Sequence, residues 1–124
     1  KHLNLLDVAD HRGAYGVLGA SFGGLMSMYT GLRMSETFGK VISQSGVFES
    51  EKRDFAAVDL IKHQQAHDIK IWIDIGHFDW LLQDNRRLQP ILRENGYETD
   101  LPDEALLVPK APAGAELEAV ESAR

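Results

Sequence analysis

The stretch Val17-Leu18-Gly19-Ala20-Ser21-Phe22-Gly23-Gly24-Leu25 constrains the fold more than any other part of the chain. It carries Gly-x-Ser-x-Gly, from Gly19 to Gly23. Residues 15–18 lead in as a short apolar run with β-strand character, and residues 25–34 lead out with helix-compatible spacing. Five-letter Gly/Ser patterns arise by chance, but a strand, a tight turn and a helix coincide around one far less often. A chain that turns this sharply holds the serine at the tip in a strained backbone conformation. Its neighbours two residues away are therefore expected to lack bulk. Gly19 and Gly23 meet that need, and Gly24 lets the helix lie close to a sheet. The start of the helix points N–H groups and the positive end of its dipole at the serine. Ser21 then reads as a nucleophile and the Phe22 N–H as an oxyanion donor. The alternative is a glycine-rich strand-to-helix turn with an inert serine.

Further along, strands alternate with helices. Residues 15–20 and 38–43 read as strands, and 69–75 (Ile-Lys-Ile-Trp-Ile-Asp-Ile) as the clearest strand. Residues 22–33, 54–68 and 80–95 read as helices. The second presents Phe55, Val58, Ile61 and Ile69; the third presents Leu81, Leu82, Leu88, Ile91 and Leu92. Pro90 predicts a bend or break in the third helix, and Gly96 its cap. Residues 49–54 are expected to be a polar connection, 106–108 a short fourth strand, and 115–124 a helix-prone tail. Met26, Met28 and Met34 are expected to fill core space. Such alternation implies a wound, mostly parallel α/β sheet with flanking helices. Ligands in such sheets bind at the carboxyl ends of the strands, where Ser21, Ser45 and Asp79 all fall.

A serine hydroxyl needs a base to take its proton, and the usual base is a His oriented by a carboxylate. In this fold class the acid follows the serine and the His follows the acid. Asp79 is the best acid, because it comes directly after a strand and a glycine-containing turn. It also suits the N-cap of the helix from Trp80 onward, and the two roles are compatible. Asp74 is a rival that lies inside its strand. The histidines stand at positions 2, 11, 63, 67 and 77, so none follows Asp79. His77 is a candidate substrate contact, with Ser45, and a weaker candidate for the base. His63 and His67 are four apart, but no third ligand or glutamate base accompanies them, so a solvated pair is expected and no metal. His2 and His11 are expected at the surface.

Charge removes other classes of function. The net charge of -6 and the lack of a basic cluster argue against a nucleic-acid partner. There is no cysteine, hence no disulfide framework and no thiolate metal site. No apolar run is long enough to span a membrane, and no signal-peptide pattern is present. The cytoplasm is the favoured compartment on that basis.

Taken in order, these residues resemble the putative esterase family of α/β-hydrolases, which includes enterochelin esterases, esterase D-type enzymes and mycolyltransferases. The resemblance rests on Gly19-Ala20-Ser21-Phe22-Gly23-Gly24-Leu25, Phe38-Gly39, Ser43-Gln44-Ser45-Gly46, residues 71–76, Asp79-Trp80-Leu81, Asn85-Arg86 and Gly96-Tyr97. It implies that Ser21 is the family's nucleophile, Asp79 its acid and Phe22 the first oxyanion N–H. The family's first strands and its second oxyanion loop have no counterpart, so residues 1–124 are expected to form one partial α/β-hydrolase domain, its C-terminal half. Leu117, in the turn-like Ala113-Gly114-Ala115-Glu116-Leu117-Glu118, stands where the resemblance places the His, unless the tail is unrelated sequence.

The resulting expectation is an esterase-type serine hydrolase acting on a small-molecule carboxylic ester without a cofactor, impaired by the missing His. The alternative is a non-catalytic module of the same fold, retained for binding or assembly. A partial sheet exposes an edge and an apolar face, so self-association or a completing segment is expected.

Overall fold

The computed structural model describes residues 9–99. Three strands, β1 (Tyr15–Ala20), β2 (Phe38–Gln44) and β5 (Lys70–Asp74), pair in parallel in the order β1-β2-β5. Helix α1 (Phe22–Arg33) joins the first two, α2 (Ala56–His63) precedes β5, and α3 (Leu82–Glu94) follows it. A small antiparallel pair, β3 (Glu49–Ser50) and β4 (Arg53–Asp54), lies between β2 and α2. Thr99 makes a parallel bridge to Ile71, on the edge of β5 away from β2. The expected wound α/β sheet with flanking helices is therefore present.

Alternation along the strands decides which side is covered. Ile71 and Ile73 point into the core from β5, while Lys70, Trp72 and Asp74 point out. Val41 and Ser43 do the same from β2. Met28 and Leu32 of α1, Val58 and Ile61 of α2, and Leu88 and Leu92 of α3 join them in one core. Each such buried aliphatic side chain contributes roughly 1.5–3 kcal/mol relative to exposure. Gly31 makes the close approach of α1 possible, because a Cβ there would lie 2.2 Å from Val41 Cγ2. All three helices contribute to this one core. Among the described residues nothing covers the opposite face of the sheet, although parallel sheets are normally covered on both sides.

Several elements depart from expectation, each for a physical reason. Helix α2 is shorter than 54–68 at both ends. Asp54 belongs to β4, where its carboxylate accepts from Lys62 Nζ at 2.7 Å and Arg87 Nη2 at 2.8 Å. After His63 the helix stops at an extended Gln64, and the His67 N–H donates to the Tyr97 hydroxyl at 3.4 Å. His67 therefore does not share a helix with His63. The connection at 49–54 is a hairpin with Glu51 and Lys52 at its tip, at φ 51° and 62°. Both tip residues are left-handed, as a type I′ turn requires. Helix α3 runs through the exposed Pro90. It ends as Gly96 suggests: the Tyr97 N–H donates to Leu92 O at 3.0 Å, the Gly96 N–H to Arg93 O at 3.1 Å, and Gly96 takes φ +86°. Of the three methionines only Met28 is core; Met26 and Met34 are half exposed. The expectations for residues 106–108 and 115–124 lie outside the described residues.

Candidate active site

Ser21 sits between the last residue of β1 and the first of α1, with φ 56° and ψ -121°. No ordinary L-residue adopts that conformation without cost, of the order of 1–3 kcal/mol. The surroundings over-determine it. The Ser21 N–H donates to Gln44 O at 2.9 Å, and Ser21 O accepts from Gly24 N at 3.0 Å, Leu25 N at 3.2 Å and Val47 N at 3.4 Å. A Cβ on Gly19 would lie 2.2 Å from Gly23 O, so only glycine fits there. Gly24 is equally restricted, facing Ser43 Oγ at 2.7 Å and Gly46 Cα at 2.9 Å. Gly23 is different: a Cβ there would meet nothing within 4 Å among the described residues. The need for smallness lies at Gly19 and Gly24, and not at Gly23 as the spacing alone predicts.

The Ser21 side chain makes no cap hydrogen bond to α1, and the residue is exposed. Its hydroxyl thus stands at the positive end of a 12-residue helix without serving as its cap. The N–H groups of Phe22 and Gly23 are among those that a helix leaves without an internal acceptor. That arrangement can stabilise an oxyanion beside Ser21.

Ser45 and Asp79 lie at the ends of the next two strands. Ser45 follows β2 with φ 44°, half-buried, and its N–H donates to Asp74 O at 2.7 Å. Asp79 follows β5 in a turn. Its N–H donates to Gly76 O at 3.0 Å, and its Oδ1 accepts from Leu81 N at 2.9 Å. That bond closes an Asx turn just before α3, but Asp79 is not the expected cap: the helix starts at Leu82, its N-cap is Leu81, and no side chain caps it, so Asp79 stands half-buried in the turn at the same end of the sheet. Asp74 ends β5 on the uncovered face, where its Oδ2 accepts from Gln44 Nε2 at 3.5 Å. It thus points away from the layer that carries α1.

What ties these loops together is an apolar cluster and one buried amide. Val47, Ile75, Leu81 and Leu82 pack with Phe55, and Phe55 meets Phe22 edge-to-face at 6.3 Å. The Asn85 Nδ2 donates to Gly46 O at 2.8 Å and Leu81 O at 3.0 Å, joining the Ser45 loop to the Asp79 loop. Sequence reading did not single out this role. The signal was available: Asn85 interrupts the apolar stripe of Leu81, Leu82, Leu88 and Leu92.

His77 lies in the Asp79 turn, half-buried, with its ring edge-to-face on Phe78 at 5.0 Å. Phe78 and Trp80 on either side of Asp79 are strongly exposed, as is Phe22. His11 and His63 are surface residues whose rings bond to backbone carbonyls of Arg12 and Asp59. Among the described residues no three His, Asp or Glu side chains gather as a metal site requires, and no helix is long and apolar enough to cross a membrane. His2 and Leu117 lie outside the described residues.

Solved structures share the fold. The chain is 26% identical to the enterobactin esterase of Shigella flexneri in the presence of enterobactin, over 73% of this chain and 25% of that one, with a TM-score of 0.63. The same esterase in the presence of 2,3-di-hydroxy-N-benzoyl-serine matches at 26% identity over 73% and 27%, with a TM-score of 0.61. An S-formylglutathione hydrolase from Staphylococcus aureus, at 21% identity over 77% and 45%, with a TM-score of 0.61, shares the fold. The chain thus spans about a quarter of the length of the enterobactin esterase and under half of the hydrolase. No curated protein matches it. The model of one family, described as Putative esterase, matches residues 5–104, and the chain belongs to that family.

Proposed function

We propose that this chain carries the nucleophile and the acid of a carboxylic ester hydrolase. Ser21 Oγ attacks the ester carbonyl and passes its proton to a base. The Phe22 N–H holds the oxyanion, and the alcohol leaves with the proton. Water then releases the acyl group from Ser21 by the same route. Asp79, through Oδ2, orients the base. The reading rests on one observation above the rest: the strained Ser21, at φ 56° and ψ -121°, with its hydroxyl at the start of α1 and unused as a cap. The exposed Phe22, Phe78 and Trp80 beside the two candidate catalytic residues favour esters with an apolar or aryl group.

No histidine lies between Asp79 and Arg124, so residues 1–124 taken by themselves should turn over an ester slowly. Removing the His of such a triad costs several orders of magnitude. Leu117 occupies the expected His position, and His77 or a His from elsewhere is the remaining source of a base. A fluorophosphonate probe tests the nucleophile, read by intact mass and peptide mapping. Slow adduct formation on Ser21, absent in Ser21→Ala, is the expected result. No adduct on the folded protein removes Ser21 from the chemistry. In a complete domain, Leu117→His should raise ester hydrolysis at least about tenfold.

The missing His also favours a second reading, a non-catalytic module of the same fold. It predicts a folded Ser21 that never labels and an ester that binds without turnover.

A further inference from the structure

The uncovered face of the sheet is ordered in three rows. Register places Gly16 beside Lys40 beside Lys70, then Leu18 beside Ile42 beside Trp72, then Ala20 beside Gln44 beside Asp74. The middle row is apolar and open to solvent, with Leu18 61%, Ile42 36% and Trp72 47% exposed. The first row is basic and the third ends in a carboxylate. We propose that this face is the contact surface between two copies of the chain, stacked sheet on sheet with their strands running in opposite directions.

Charge selects both the occupant and its direction. A second copy turned about a two-fold axis that lies between the sheets and across the strands brings its own Leu18–Ile42–Trp72 row over the first. The same rotation sets Lys40 and Lys70 of each copy against the Gln44–Asp74 row of the other. Stacking with parallel strands would instead place lysine over lysine, which like-charge repulsion disfavours. The face is therefore self-complementary in one orientation, as a two-fold contact must be. Sheets stacked this way sit about 10 Å apart with their strands inclined by about 30°.

Size sets the strength. Three strands about 4.8 Å apart, with five residues each rising about 3.3 Å, give a flat footprint of about 250 Å² per copy. That is small beside the roughly 800 Å² per partner of a standard stable interface. The dimer is accordingly weak, forming in the micromolar range or above.

Sedimentation velocity over a concentration series tests this with residues 1–124. The 13.8 kDa monomer should move toward twice that mass as concentration rises. Lys70→Asp and Asp74→Lys reverse one charge each at exposed positions, and each should weaken dimerisation at least tenfold. Mixing the two variants restores opposite charges at both contacts and should restore the dimer. Folding of each variant is checked by far-UV circular dichroism, and Leu18→Lys serves as an independent disruption of the middle row. A monomer at every concentration overturns the proposal. So does a dimer that ignores these substitutions, or a mixture that fails to recover, since the copies would then meet elsewhere. In a Trp80→Phe background Trp72 is the sole indole. If that indole is shielded from a soluble quencher even in dilute monomer, the face is covered from within the chain itself, and the proposal is overturned.

Discussion

Asn85→Leu should be among the most damaging single changes outside the hydrophobic core. The Asn85 side chain is fully buried and donates to Gly46 O at 2.8 Å and Leu81 O at 3.0 Å. Leu81 O also accepts the Asn85 N–H at 3.0 Å, so it keeps a partner when the amide is gone. Gly46 is buried and loses the amide that reaches its carbonyl from α3. A stranded buried carbonyl costs about 1–3 kcal/mol, and the second lost bond about 0.5–1.5 kcal/mol more. Leucine returns part of this by removing Asn85 Oδ1, a buried acceptor with no partner, and by adding apolar burial. The net expectation is a loss of about 2–3 kcal/mol, a large fraction of the 5–15 kcal/mol typical of a domain. Urea unfolding followed by circular dichroism measures it, with the m-value as a check that the unfolded state is unchanged. Asn85→Asp sharpens the test. At neutral pH it sets a carboxylate against two carbonyl oxygens and should be worse than leucine. In acid its protonated form can donate to Gly46 O, so stability should rise as pH falls. A loss under about 1 kcal/mol for leucine, or an aspartate variant indifferent to pH, would refute the idea that this amide holds the two loops together.

Other expectations follow from the same geometry. Gly19→Ala should cost at least about 2–3 kcal/mol in a urea melt, because its Cβ would lie 2.2 Å from Gly23 O. Gly23→Ala should instead be neutral or stabilising by up to about 1 kcal/mol, since the site is open and helical. Replacing Glu51-Lys52 by Asn-Gly relieves two left-handed L-residues and should raise the thermal midpoint, with a gain of about 1 kcal/mol. Asp54 is held below the usual carboxylate range, first by its hydrogen bond from Lys62 and then by Arg87, against the opposing effect of burial. A lowered folded-state value means that its stabilisation is complete above the unfolded value near 3.8 and fades as pH falls through the folded value. Lys62→Met should therefore cost more at pH 7 than at pH 2–3, and an equal cost at both would show that the ion pair carries none of it.

Much of this was legible locally. The bounds of β1 and α1 fall where the residues predict, because strand sterics, the turn at Ser21 and helix periodicity are settled within a few residues. The Gly96 cap is local in the same way. The hairpin at Glu51-Lys52 was not legible, since neither residue favours a left-handed backbone. It is held from 35 positions away by Asp84, whose Oδ2 accepts from Phe48 N at 2.7 Å and Glu49 N at 3.1 Å. Arg87 adds to the grip through Asp84 at 3.2 Å and Glu49 at 3.3 Å. Helix α2 stops early for a similar reason: its apolar spacing continues to Ile69, but Tyr97 engages His67 and the chain must enter β5.

The sequence by itself determined a serine at a strand-to-helix turn, its glycine neighbours and a wound sheet, since these depend on contacts between residues close along the chain. Only the tertiary structure decided that Gly23 is unrestricted, and that what confines Gly24 is Ser43 and Gly46 from another strand end. It alone decided that Asp74 faces the bare side of the sheet, that Asn85 joins the Ser45 and Asp79 loops, and that Leu18, Ile42 and Trp72 form one row. Those outcomes depend on register between strands, which periodicity along a single strand does not carry.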